Sequence, residues 1–230
     1  MKSYIPNFIT LLNLFSGCVA VIFALEGNMK LTALFVFLGV FFDFFDGFIA
    51  RKLNVQSDLG VQLDSLADMV TSGLVPGLVL FYLFGLAPQL SDETSDLLPY
   101  FGLCVTLASA YRLAKFNIST NQSDAFIGLP TPANTLLIIA LPLILEYHNS
   151  DAINAIILNP WFLIVLTLVS CFLLNAPLKL IALKFKTRNF KDNASRYILI
   201  VLSGVLLGVF QFAGIPLIII LYILLSIVFK

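Results

Sequence analysis

The sequence predicts an all-α, polytopic membrane protein built as a helical bundle, and three observations predict this fold class. Hydrophobic residues make up 60% of the 230 residues. Charged residues make up only 11%, whereas a soluble domain carries about a quarter. Apolar segments close to the length of a membrane span, about 20 residues, recur from one end of the chain to the other. A single soluble core is therefore excluded.

Eight apolar segments predict about eight helices. They cover approximately residues 8–25, 31–50, 66–86, 97–113, 132–145, 161–178, 197–212 and 215–229. Only Ala213 and Gly214 separate the last two, and Pro216 follows, so this stretch is predicted to be a tight hairpin or one broken helix. Seven or eight spans are expected. The first segment is expected to stay as a helix rather than act as a cleaved leader, because Asn7 and Thr10 interrupt its apolar run.

The basic residues predict the orientation of the spans. If the N-terminus lies in the cytoplasm and the spans alternate, only Lys30 falls outside. The cytoplasmic set is then Lys2, Arg51, Lys52, Arg112, Lys115, Lys179, Lys184, Lys186, Arg188, Lys191, Arg196 and Lys230. The positive-inside rule describes this asymmetry. We therefore expect a multi-pass protein of the cytoplasmic membrane.

Charge and cysteine content exclude other classes of protein. The formal net charge is zero and no long basic tract is present, so a nucleic-acid partner is not expected. The three cysteines are isolated in apolar surroundings and form neither a CxxC motif nor a disulfide framework. The short basic segment 184–191 is expected to lie at the cytoplasmic surface, near anionic lipid.

Four acidic residues in the second and third predicted helices are the unusual feature of this chain. They are Asp43, Asp46, Asp64 and Asp68, with Asp58 between the pairs. An Asp near the middle of a bilayer costs about 2.5 to 3.5 kcal/mol, so such residues usually face a polar cavity and serve function. Spacings of three and four residues place each pair on one face of a helix. A helix that turns back can bring the pairs together.

Converging carboxylates need compensation, and a divalent cation is the simplest one. Oxygen ligands and the lack of a His or Cys cluster favour Mg²⁺, Mn²⁺ or Ca²⁺ over Zn²⁺. Gly47 and Gly60 leave space beside the acids, and Arg51 can pair with phosphate at the cytoplasmic edge. Together these residues are typical of phosphoryl transfer. An ion-coupled transporter is the alternative, since intramembrane acids also build ion pathways.

The acids belong to a longer motif: Asp43, two residues, Asp46-Gly47, two residues, Ala50-Arg51, eight residues, Gly60, three residues, Asp64, three residues, Asp68. This motif resembles the signature of the CDP-alcohol phosphotransferase family at every specified position. The resemblance covers about the first six helices and implies a six-helix core with about two added C-terminal helices. The expected division is a membrane core over residues 1–180, followed by a basic cytoplasmic loop and C-terminal transmembrane helices over 181–230.

Three further segments are similar to segments of integral-membrane phosphatidylserine synthases within that family. They are Asn7, Thr10, Leu11, Asn13 and Gly17 near the start, Arg112-Leu-Ala-Lys-Phe-Asn117, and Gly128-Leu-Pro-Thr-Pro-Ala133. The similarity implies CDP-diacylglycerol as donor, L-serine as acceptor, phosphatidylserine and CMP as products, and a homodimer in membrane lipid. Glycerol 3-phosphate or an inositol phosphate is the alternative acceptor.

The resemblance also implies roles for the motif residues. Asp43, Asp46 and Asp64 are expected to hold two divalent ions, Mg²⁺ or Mn²⁺. Asp68 is expected to join them as a ligand or to act as the catalytic general base. Gly47, Arg51 and Gly60 are expected to bind the CDP moiety.

Two cations at the end of the fourth apolar segment are candidates for acceptor binding. Arg112 or Lys115 can supply the partner that the carboxylate of serine requires. The polar loop of residues 116–130 is expected to cover the acceptor site. Because this region offers few other cations, an unphosphorylated acceptor is favoured.

Overall fold

The protein is described here by a computed structural model covering residues 4–88, 96–118, 126–180 and 193–228. These ranges contain ten α-helices: α1 Tyr4–Leu25, α2 Met29–Leu53, α3 Asp58–Asp68, α4 Val75–Leu86, α5 Cys104–Ile118, α6 Thr131–Tyr147, α7 Asp151–Ile157, α8 Pro160–Asn175, α9 Ala194–Phe210 and α10 Gly214–Val228. A single antiparallel pair of two-residue strands, β1 (Phe126–Ile127) and β2 (Lys179–Leu180), is the β-structure within them. The predicted all-α bundle is therefore confirmed.

All eight predicted apolar segments coincide with helices. Among the described residues, four helical stretches are long and apolar enough to cross a membrane by length and composition: Tyr4–Leu25, Met29–Leu53, Asp58–Leu86 and Arg196–Val228. A fifth is obtained if α7 and α8, which meet at a bend of 53°, are taken as one span. The total of seven or eight spans stays a prediction.

The stretch 196–228 is a helical hairpin rather than one broken helix. Gln211, at the end of α9, has φ 48° and ψ −123°, which no α-helix contains. A Cβ on Gly214 would lie 2.5 Å from the carbonyl oxygen of Leu206. Residues eight positions apart in a straight helix are separated by about 12 Å, so the chain reverses between them and α10 returns along α9.

A short turn joins α2 to α3, both of which pack on α1, and leaves the two acidic pairs at the same end of the bundle. Asn54 ends α2 in the left-handed conformation, with φ 53° and ψ 44°, and its N–H bonds back to Ala50. Ser57 then caps α3, its Oγ accepting a hydrogen bond from the N–H of Gly60 at 3.1 Å. Because the turn between these two caps is short, α3 returns into the bundle against α1 and brings Asp64 close to the acids of α2.

Polar residues lie inside the bundle and large apolar side chains lie on its surface. Asn13, Asn134 and Thr167 are fully buried, whereas Trp161 and Phe172 are about two-thirds exposed. In water such a surface would be unfavourable, but lipid tails solvate it well. The distribution is what a bilayer requires of a membrane protein.

The end of the bundle opposite the acids carries the residues predicted to face outward. Lys30, at the start of α2, forms an ion pair of 2.6 Å with Glu146, at the end of α6. The Tyr147 ring packs on that of Phe212, in the α9–α10 turn, at a centroid distance of 4.9 Å. The basic segment 184–191 lies outside the described residues, as do Lys2 and Lys230.

A π-helical segment, Met69–Leu74, joins α3 to α4 and packs Thr71 against two glycines. A Cβ on Gly17 of α1 would lie 3.1 Å from the Thr71 Cα. A Cβ on Gly39 of α2 would lie 2.6 Å from the Thr71 Cγ2. These glycines therefore allow three helical segments to meet directly behind the acidic residues.

Gly17→Ala is expected to lower the free energy of unfolding by about 1 to 3 kcal/mol, because the added methyl overpacks this contact with Thr71. Gly204→Ala is the matched control. Nothing lies within 4 Å of a Cβ at Gly204, so helix propensity makes that change neutral or stabilising by up to about 1 kcal/mol. Thermal unfolding in detergent measures both variants, and equal melting temperatures would contradict the predicted close contact.

Candidate active site

Three carboxylates from two helices converge near one end of the bundle. Asp43 and Asp46 lie on α2 and Asp64 on α3, and one oxygen from each lies within 4.8 Å of the others. The Oδ1 atom of Asp64 is shielded from solvent and has no hydrogen-bond partner among the residues that the structure describes. An unpaired buried carboxylate oxygen is costly unless a donor or a cation satisfies it. This set of oxygen ligands therefore fits a hard divalent cation.

Thr10 on α1 holds the deepest carboxylate of this cluster. Asp46 is buried, and its Oδ2 accepts a hydrogen bond of 2.5 Å from the Thr10 hydroxyl. The same hydroxyl also lies 3.1 Å from the carbonyl oxygen of Pro6. Thr10 therefore orients one of the predicted metal ligands, a contact that the sequence analysis did not assign.

Asp68 is held separately from the three-carboxylate cluster, at the last residue of α3. It is buried, with 8% of its surface exposed. The side-chain amide of Asn13 donates a hydrogen bond to its Oδ1 at 3.3 Å. Asn13 is a second contact residue that the sequence analysis left without a role. The sequence signal for Thr10 and Asn13 is that these two polar residues lie three positions apart within an apolar helix.

An open cavity of about 170 Å³ is lined by two of the three acids, Asp46 and Asp64. The residues predicted to bind CDP, Gly47, Arg51 and Gly60, all line it. Its remaining lining residues are Pro6, Asn7, Thr10, Ala50, Val55, Gln56, Ser57 and Val61. The predicted metal ligands and predicted CDP-binding residues are thus neighbours in space.

The glycines keep this cavity open. A Cβ on Gly47 would lie 3.3 Å from Nη1 of Arg51 and would restrict the guanidinium. A Cβ on Gly60 would lie 3.4 Å from the Asn7 side-chain oxygen. Glycine at both positions lets a bulky ligand approach the backbone beside the acids.

The two predicted acceptor-binding cations do not line this cavity. Arg112 on α5 is 8% exposed, and its Nη1 donates a hydrogen bond of 2.7 Å to the carbonyl oxygen of Leu174. Lys115, one turn later, is exposed. The same end of α5 is joined to α3 through Asn117, which accepts from the hydroxyl of Ser65 at 2.9 Å.

The loop predicted to cover the acceptor site is described only at its ends, because residues 119–125 lie outside the described ranges. At its far end, β1 pairs with β2. The N–H groups of Gly128 and Leu129 donate to the carbonyls of Leu178 and Leu173, both at 2.8 Å. This end of the loop is therefore tied to the chain that leaves α8.

These features define a class of protein: an integral membrane protein with an acidic, oxygen-ligand site at one end of a helical bundle, open through a cavity lined by Gly and Arg. The chain belongs to the CDP-alcohol phosphatidyltransferase family, whose sequence model matches residues 3–173. The predicted family is confirmed, and its membership selects a transferase over the transporter alternative.

Several relatives carry the name CDP-diacylglycerol–serine O-phosphatidyltransferase. The protein of that name from Bacillus subtilis is 40% identical over 143 residues, which are 60% of this chain and 75% of the relative. The Helicobacter pylori J99 protein is 35% identical, with 62% of this chain and 59% of the relative covered. The Methanocaldococcus jannaschii protein is 32% identical, with 67% and 68% covered. The chain thus spans less than two thirds of the Helicobacter relative.

Proposed function

We propose that this protein transfers a phosphatidyl group from CDP-diacylglycerol to the hydroxyl of L-serine, giving phosphatidylserine and CMP, at the cytoplasmic face of the cell membrane. The observation that carries the proposal is the position of Asp46 and Asp64 at the end of a cavity that also holds Arg51. A nucleotide diphosphate needs both a cation and metal-holding carboxylates. The names of the relatives support serine as the acceptor.

The proposed cofactor is a pair of divalent cations, Mg²⁺ or Mn²⁺, held by Asp43, Asp46 and Asp64. Their oxygens lie within 4.8 Å of one another, and the partnerless Oδ1 of Asp64 supplies a position for a cation. When bound, the cations would neutralise the phosphate oxygens of the donor. Thr10 keeps Asp46 turned toward this position through its 2.5 Å hydrogen bond.

Around this site the chain binds the donor and moves one proton. Arg51 pairs with the phosphate that leaves with CMP, while Gly47 and Gly60 admit the nucleotide against the backbone. The serine oxygen forms a bond to the phosphorus that carries diacylglycerol, and the bond from that phosphorus to the CMP oxygen breaks. Asp68 accepts the proton of the serine hydroxyl. No covalent enzyme intermediate is needed.

The division of the chain and its assembly are part of the same proposal. Residues 1–180 form the catalytic membrane core, and residues 181–230 add the basic loop and the α9–α10 hairpin. The end of the family match at residue 173 supports this boundary. The active assembly is proposed to be a homodimer, which the mass of the protein in detergent would test.

For the acceptor, we expect Arg112→Lys to raise the KM for serine about tenfold, because a buried guanidinium binds a carboxylate through two parallel hydrogen bonds. Lys115→Ala should change this KM less than about twofold, since Lys115 is exposed and screened. The KM for CDP-diacylglycerol serves as the internal control. Unchanged serine KM values in both variants would remove these two residues from the acceptor site.

The test of the proposed function is CMP release by purified protein with CDP-diacylglycerol and Mg²⁺ or Mn²⁺. Serine, glycerol 3-phosphate and an inositol phosphate are compared as acceptors, with a chelator as the metal control. Serine-dependent release that the chelator abolishes is expected. Release with another acceptor would retain the family chemistry and overturn the acceptor, while the absence of release with all three would overturn the proposed function.

A further inference from the structure

A chain of two hydrogen bonds leads from Thr71 through Asn13 to Asp68. The Thr71 hydroxyl donates to Oδ1 of Asn13 at 2.8 Å, and Nδ2 of Asn13 lies 3.3 Å from Oδ1 of Asp68. Asn13 is fully buried and Thr71 is 1% exposed. The two residues come from α1 and from the π-helical segment Met69–Leu74. Two stretches of backbone, α1 and the continuous chain from Asp68 to Thr71, therefore meet at one carboxylate.

The hydroxyl of Thr71 sets which way the Asn13 amide faces. An amide side chain offers an acceptor at Oδ1 and two donor hydrogens at Nδ2. Because the Thr71 hydroxyl donates to Oδ1, the NH₂ group faces Asp68 and donates to one of its carboxyl oxygens. With the hydroxyl absent, the amide loses this orientation, and its carbonyl end can turn toward the carboxylate and repel it.

Close packing holds Thr71 in place. A Cβ on Gly39 would lie 2.6 Å from the Thr71 Cγ2 and 2.9 Å from the Asn13 Oδ1. Gly17 contacts the other side of Thr71, whose hydroxyl also lies 3.2 Å from the Asn13 carbonyl oxygen. Rigid packing of this kind is what holds a functional side chain within a narrow range of angles. The wider π turn begins directly after Asp68, and such turns are frequent at functional sites.

We propose that Thr71 and Asn13 are positioning residues that orient Asp68 for proton transfer from the acceptor hydroxyl. Because the Asn13 amide is hydrogen-bonded to Oδ1 of Asp68, the other carboxylate oxygen, Oδ2, is the one that accepts the proton of the acceptor hydroxyl. The hydrogen bond from Asn13 also stabilises the carboxylate in its ionised, proton-accepting form. This inference rests on the proposed function, and neither residue touches the cavity that takes the donor.

The test compares Thr71→Val, which keeps the shape and removes the hydroxyl, with Thr71→Ser, which keeps the hydroxyl. Thr167→Val is the matched control, because the Thr167 hydroxyl is fully buried but donates only within α8, to Leu163 at 2.8 Å. We expect Thr71→Val to lower kcat about tenfold or more. The KM for CDP-diacylglycerol and the affinity for CDP in Mn²⁺ should stay within about twofold, and Thr71→Ser should recover most of kcat.

The outcomes separate a positioning role from a structural one. Equal losses of kcat in Thr71→Val and Thr167→Val, or a Thr71→Ser variant as slow as Thr71→Val, would overturn the proposal. So would a loss of CDP affinity or melting temperature large enough to account for the lower rate. Asn13→Asp keeps the acceptor for Thr71 and replaces the donor facing Asp68, so we expect it to lower kcat at least as much while CDP still binds.

Failure of the proposed function is recognised in the unmodified protein. If the unmodified protein releases CMP with an acceptor other than serine, the serine assignment fails and the same variants are compared with that acceptor. If it releases none, the proposed function and this inference fall together. If the unmodified protein is active with serine, a low kcat in Thr71→Val and a normal kcat in Thr71→Ser would support both the proposed function and this inference.

Discussion

Asp64→Asn is expected to lower metal-dependent CMP release by about a thousandfold or more. Asp64 is the only contribution of α3 to the three-carboxylate cluster, and its Oδ1 has no protein partner to replace a cation. An amide of the same shape offers one neutral oxygen in place of the carboxylate. Cation affinity should therefore fall together with the rate.

The matched control is Asp58→Asn, which removes the same charge from the same helix at an exposed position outside the motif. Release should stay within about twofold of the unmodified rate. A second measurement does not depend on turnover: Mn²⁺ should raise the melting temperature of the unmodified protein and of Asp58→Asn, but not of Asp64→Asn. An Asp64→Asn variant that Mn²⁺ still stabilises normally would refute the assignment of Asp64 as a ligand.

Asp68→Asn is expected to lower CMP release by about a hundredfold to ten thousandfold, the range that a general base contributes. The amide keeps an oxygen for the hydrogen bond from Asn13 but cannot accept the proton of the acceptor hydroxyl. Because Asp68 lies outside both the three-carboxylate cluster and the cavity, CDP should bind in Mn²⁺ with an affinity within about threefold of normal.

Two measurements on that variant separate the two roles predicted for Asp68. Single-turnover CMP release reports the transfer step, and CDP binding in Mn²⁺ reports the donor site. Loss of both would make Asp68 a ligand for the cations rather than the base. Normal turnover would exclude both roles.

The fold class and the acidic site were predictable because the signals for both are local. Spans follow from runs of apolar residues, since a bilayer selects for length and hydropathy. The pairing of Asp43 with Asp46, and of Asp64 with Asp68, follows from the period of the helix. The coincidence of Gly47, Arg51 and Gly60 with one cavity could be expected from the motif as a whole.

Contacts between distant segments were not predictable in the same way. Thr10 reaches Asp46 across 36 positions of sequence, and Asn13 reaches Asp68 across 55. These contacts depend on how each helix is rotated about its own axis, and no spacing within one helix encodes that rotation. The π turn that directly follows Asp68 also changes the direction in which the next side chains, including Thr71, point from the helix axis.

By itself the sequence determined that the chain is a helical membrane protein, that its acids form two pairs, each on one face of a helix, and which family it belongs to. The tertiary structure decided that α9 and α10 form a hairpin, that Arg112 is buried against α8, and that Asn13 donates a hydrogen bond to Asp68. The reason is physical. Apolar length and helical period are properties of single segments. Burial and hydrogen-bond partners depend on how each helix is rotated about its axis within the packed bundle, which no single segment encodes.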